Sequence, residues 1–144
     1  MATDPSPRVA DVLLRDPAPR TRARIHWPAC PGRPGLVVLF TDPDDPCDLA
    51  ARLVEALGAI VLAVPAAHTV EAHATVAWAA DHATELGARP DLALVGTGRG
   101  AALAERVAAL AADEGWPPLR GVAAVWPGDD PAPALEALAT GWDR

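Results

Sequence analysis

The segment Leu92–Leu110, LALVGTGRGAALAERVAAL, is where this sequence comes closest to chemistry. Leu92–Val95 predicts a buried strand, and the alanine-rich run carrying Leu103, Val107 and Leu110 on one face predicts a helix. Between them stands Gly96-Thr97-Gly98-Arg99-Gly100. A glycine turn between strand and helix lies at the edge of a parallel sheet, where the helix N-terminal amides point at whatever binds. Two chemistries suit such a place: a nucleophile raised on the sharp turn, or an anion held by the amides beside Arg99. The position that would display a nucleophile is Gly98, which has no side chain.

Other reactive residues fall on the same predicted edge, because the loops that follow parallel strands share it. Cys47 precedes a predicted helix, and with His68 as base it forms an alternative nucleophile pair, since a helix N-terminus lowers a thiol pKa. Asp44, Asp45 and Asp48 surround that thiol and disfavour its thiolate, so a passive cysteine is expected. Asp42, Asp44, Asp45 and Asp48 would suit a hard cation if their loop could wrap, but Pro43 and Pro46 stiffen it. His68, His73 and His82 lack the i, i+4 spacing of a zinc pair, so no metal is expected. Gly96 to Ala101 also reads as G-x-G-x-x-A, a dinucleotide fingerprint. The following strand ends in Trp126-Pro127 rather than in an acidic ribose-binding residue, so no cofactor is expected. A phosphate, carboxylate or nucleotide held at Gly96, Thr97, Gly98, Arg99 and Gly100 stands as a further alternative.

Composition narrows the classes. The 144 residues suffice for one domain, and a formal net charge of −7 with scattered basic residues argues against nucleic acid or an anionic membrane. All 12 basic residues are arginine, which removes Schiff-base chemistry and a Walker-type phosphate lysine. The only serine is Ser6, in a proline-punctuated N-terminal stretch. Cys30 and Cys47 form no C-x-x-C pair, no run is long enough to span a membrane, and the N-terminus lacks a signal-peptide pattern. A cytoplasmic protein is the expectation.

The elements that must position these residues follow a regular rhythm. Residues 1–8 read as a flexible tail and 9–144 as a single domain. Thr21–Trp27 alternates Ala23, Ile25 and Trp27 against Arg22, Arg24 and His26, which predicts an antiparallel hairpin with Val9–Leu14. Leu36–Phe40, Ala59–Val64, Leu92–Val95 and Val122–Trp126 read as buried strands. The helices between them end at Gly58, Gly87 and Gly115, with Asp45-Pro46 and Thr69 as expected starts of the first two. Asp130-Pro131 opens a last helix that Gly141 closes. Strand–helix alternation predicts an α/β protein: a mostly parallel sheet with helices on both faces. Leu, Val and the five tryptophans are expected to fill its core, Trp126 among them.

In this order the sequence resembles the α/β-hydrolase fold, in its hormone-sensitive-lipase-like esterase branch. The likeness covers about residues 9–127, through Arg24-Ile25-His26-Trp27-Pro28-Ala29, Leu53-Val54-Glu55-Ala56-Leu57-Gly58-Ala59, Trp78-Ala79-Ala80-Asp81-His82-Ala83 and Pro117-Pro118-Leu119-Arg120-Gly121. The resemblance implies the N-terminal half of such a fold and ester chemistry at a G-x-S-x-G elbow. It also implies a His-Gly-Gly-Gly oxyanion loop, with an acid and a histidine further on. This sequence departs at each point. Gly98 replaces the serine, the acidic Thr41-Asp42-Pro43-Asp44-Asp45-Pro46 replaces the glycine loop, and no histidine follows His82. The expectation is a truncated, catalytically degenerate hydrolase-like protein with no catalytic residue, acting as a binding or assembly module. The apolar strand Val122–Trp126 would then be an exposed sheet edge, with Val122, Val125, Trp126 and Trp142 as interface candidates for self-association or a protein partner.

Overall fold

The alternation along Thr21–Trp27 is satisfied by an antiparallel hairpin: strand β1 (Arg8–Leu14) pairs with strand β2 (Thr21–Trp27) in full register from Arg8–Trp27 to Leu14–Thr21. In the computed structural model the described residues are 8–14, 21–29, 33–42, 49–65, 68–89, 91–126 and 129–140. The hairpin begins at Arg8, which the sequence assigns to the tail; residues 1–7 lie outside the described set. Ala23 and Ile25 are buried and Arg22 and Arg24 exposed. The Trp27 indole donates to the Leu86 carbonyl at 3.0 Å, tying the hairpin to the end of a helix far along the chain. Across the strands the Arg24 guanidinium meets Asp11 at 2.8 Å, which holds the Asp11 carboxyl below its ordinary range and raises Arg24.

Strand β3 (Leu36–Thr41) is not the neighbour of β2. That place belongs to β4 (Ile60–Pro65), antiparallel to β2. β3 lies between β4 and β5 (Leu92–Thr97), and β6 (Gly121–Val125) lies beyond β5; these four run parallel. The order is β1-β2-β4-β3-β5-β6. Helices α2 (Thr69–Leu86) and α3 (Arg99–Glu114) cover one face, over Val38, Phe40, Leu62 and Leu94. Helices α1 (Leu49–Leu57) and α4 (Ala132–Thr140) cover the other, over Val37, Leu39, Val61 and Val125. Two-sided cover is why these strands are continuous apolar runs. The α/β architecture with an N-terminal antiparallel hairpin is as the sequence predicts.

Leu49, Leu53, Val54 and Leu57, at helical spacing, form the buried face of α1. Glycines 58, 87 and 115 end their helices at φ 60°, 89° and 73°. Two starts differ. The N-cap of α2 is His68, with no side-chain capping bond, and Thr69 is the first helical residue. The expected Asp45-Pro46 start and Gly141 stop lie outside the described residues. For α4, Asp130 Oδ1 accepts from the Ala132 amide at 3.0 Å.

The tryptophans do not build the core. Trp27 and Trp78 are half-buried, Trp116 and Trp126 are 46% and 45% exposed, and Trp142 lies outside the described residues. Trp126 follows β6, which has a neighbour on one side only among the described residues, and none of those residues buries the indole from beyond it. Leucines, valines and Phe40 fill the interior instead. Among the described residues no helix is long and apolar enough to cross a membrane.

Candidate functional site

The glycine turn is built as the strand–turn–helix spacing requires, with its bend concentrated at one residue. β5 continues through Gly96 and Thr97, and α3 starts at Arg99, leaving Gly98 alone between them. Gly98 has φ 55° and ψ −121°, the first central position of a type II′ turn, which favours glycine. The other two glycines serve packing. A Cβ on Gly96 would run into the Gly100 carbonyl, and one on Gly100 into the Phe40 carbonyl. Glycine at both places lets α3 lie directly against its own strand and against β3.

The first two amides of this turn are engaged. The Gly98 amide donates to the Val125 carbonyl at 3.0 Å, joining the turn to β6. The Arg99 amide, the first of α3, donates to Asp42 Oδ2 at 2.9 Å. Asp42 directly follows β3, which pairs with β5 through Phe40 and Gly96, so the sheet itself carries the carboxylate to the helix N-terminus. Asp42 is 9% exposed. Its anionic oxygen complements the helix dipole and caps α3 from another strand, because Gly98 has no side chain to do so.

Chemically, the Arg99 amide is the donor that, in an elbow of this geometry, would face a developing oxyanion. The chain's own carboxylate occupies it. A Cβ on Gly98 would approach Asp42 Oδ2 to 2.5 Å and Asp42 Cβ to 2.7 Å, so the space for a nucleophile is filled as well. An external anion at the same amide would meet the Asp42 charge at close range. Asp42 carries this arrangement, yet sequence reading treats it only as one of several loop acids. The available signal is an aspartate immediately after the strand that flanks the glycine turn.

Cys47, Asp44, Asp45, Asp48 and Trp142 lie outside the described residues. His68 is exposed at the start of α2. His73 Nε2 pairs with the Trp116 carbonyl at 2.9 Å, and His82 Nδ1 with the Trp78 carbonyl at 2.8 Å, its ring stacked on Trp78. Both are structural contacts. Among the described residues no group of three or more His, Cys, Asp or Glu is placed to hold a metal ion. Val122 is 40% exposed beside Trp126, whereas the Val125 side chain is buried with Leu135 and Leu138 beneath α4. A separate open groove of about 680 Å³ lies between the hairpin and the ends of β3 and β4, lined by Leu13, Arg22, Arg24, Thr41, Ala63 and Pro65 among others.

No protein-family model matches this sequence, and no curated protein matches it. Solved structures do. A crystal structure of DphMB1 is 29% identical with a TM-score of 0.69, the match covering 81% of this chain and 43% of that one. A hyperthermophilic esterase from the archaeon Pyrobaculum calidifontis is 25% identical, with a TM-score of 0.65 and coverage of 75% and 41%. A thermostable esterase from Pseudomonas putida is 24% identical, with a TM-score of 0.72 and coverage of 84% and 44%. The chain thus spans less than half the length of each. Sheet order, the strand–turn–helix at Gly98 and these likenesses lead to one conclusion: the chain has the α/β-hydrolase fold and is similar, over part of their length, to esterases of that fold.

Proposed function

We propose that this chain is a catalytically degenerate α/β-hydrolase-fold protein that acts as a binding or assembly module. The observation that carries the reading is the Asp42 carboxylate on the Arg99 amide, over a glycine where a nucleophile would stand. An acyl-transfer site needs an attacking group and donors aimed at the developing oxyanion. Here the first is absent from the turn and one such donor is spent within the chain. Retaining the three glycines needs no catalysis, because each is required by backbone packing or by φ. The exposed Val122, Trp116 and Trp126 support a role in contacts.

The test is intact mass of the full chain after a fluorophosphonate and, separately, a thiol-directed probe, with nitrophenyl-ester turnover measured alongside. The expected result is no phosphonate adduct and no turnover. Rapid stoichiometric labelling of Cys47, with turnover lost in Cys47→Ala and His68→Ala, would overturn the reading in favour of a cysteine hydrolase.

A further inference from the structure

The two edges of the sheet are unlike. β1 carries Arg8 and Asp11, the latter paired with Arg24 of β2, and charged edges resist pairing with other strands. β6, Gly121-Val122-Ala123-Ala124-Val125, carries none and no proline. Its outward main chain can be read from one bond. The Gly98 amide reaches the Val125 carbonyl, so in a parallel ladder Val125 and Ala123 present their main-chain groups to β5, while at the start of the strand the Arg120 amide turns to the Leu92 carbonyl at 2.6 Å. Val122 and Ala124 therefore present theirs outward, where the sheet order places no further strand among the described residues.

The ends of β6 differ in sign. At its start stand Arg120 and Arg89, whose guanidinium groups both meet Asp91 at 3.4 Å. After its end come Asp129 and Asp130, both exposed, with the Asp129 amide donating back to the Trp126 carbonyl at 3.0 Å. A parallel neighbour of the same sequence would set like charges together. An antiparallel one sets the basic end of each copy beside the acidic end of the other.

We propose that β6 pairs antiparallel with β6 of a second copy of this chain, about a two-fold axis at Ala123, extending one sheet through both molecules. This rests on the assembly reading above and names its partner. Val122 of each copy then opposes Ala124 of the other, each pair exchanging both outward N–H···O=C bonds, while Ala123 meets its own copy as a non-hydrogen-bonded pair. Arg120 of each copy comes opposite Trp126 of the other, within reach of a cation–π contact on an indole that is 45% exposed in the single chain.

Sedimentation equilibrium of the full chain over a wide concentration range tests this. A reversible dimer is expected, weakening with salt. Ala124→Pro removes an outward amide and leaves the β5 ladder intact, so it should stay folded and raise the dissociation constant about tenfold or more. Independently, Ala123→Cys in a Cys30→Ser/Cys47→Ser background should form an intermolecular disulfide, since non-hydrogen-bonded partners place Cα atoms about 4.5 Å apart. A strict monomer overturns the proposal. So does a dimer that ignores Ala124→Pro and gives no crosslink, although that outcome leaves the assembly reading standing. Ester turnover would remove that reading without altering the mass measured here.

Discussion

The Asp42 carboxylate lies 2.9 Å from the Arg99 amide nitrogen, so an acid from the end of one strand caps the helix that follows another. Fifty-seven residues separate the pair, and they meet because β3 and β5 are adjacent. Asp42→Ala leaves that amide without its acceptor and is expected to cost about 1–2 kcal/mol. Asp42→Asn keeps an acceptor oxygen and should lose less. Urea denaturation, with the slope unchanged, measures both.

Restoring a serine alone should fail. Gly98→Ser sets a Cβ at φ 55° and within 2.5 Å of Asp42 Oδ2, and is expected to cost roughly 2–4 kcal/mol. It should give no fluorophosphonate adduct. The pair Asp42→Gly with Gly98→Ser should be less destabilised than the sum of its parts, because one change relieves the clash in the other. A double-mutant cycle checks the sign.

Glycines of this chain should divide by what lies next to them. Gly100→Ala drives a methyl into the Phe40 carbonyl, which is backbone and cannot yield, so a loss above about 3 kcal/mol is expected. At Gly87 nothing lies within 4 Å, and only its φ of 89° resists alanine, for about 1–2 kcal/mol. Thermal melts of the two variants should therefore differ clearly, by several degrees in a domain of this size.

The hairpin pair Asp11–Arg24 predicts a small acid-limb effect. The Arg24 guanidinium lowers the Asp11 carboxyl in the folded chain. Its contribution is thus present above the unfolded carboxylate range and lost as pH falls through the lowered folded value. Asp11→Asn should reduce stability slightly at neutral pH and converge with the unchanged protein in strong acid. Because both side chains are exposed, concentrated salt should erase the difference.

The sequence revealed what periodicity and glycine encode. The end of α2 at Gly87, the buried face of α1 and the glycine helix ends follow from local rules, and these stand in the structure. What it could not reveal depends on sheet order. The partnership of Asp42 with Arg99 depends on β3 adjoining β5. That pairing has no local signature. Asp42, in sequence, is one acid among four in its loop.

The central strand has a consequence for how the protein is made. β3 has no sheet neighbour upstream: β4 and β5, its two partners, are both synthesised after it, whereas β2 already has β1. A nascent chain therefore exposes Leu36-Val37-Val38-Leu39-Phe40 to the ribosome surface and to chaperones until residues past Ile60, and finally past Leu92, have emerged. A strand buried over Leu36–Phe40 in the finished molecule is thus the one most exposed to misassociation at birth, so expression yield should depend on translation pace across this interval.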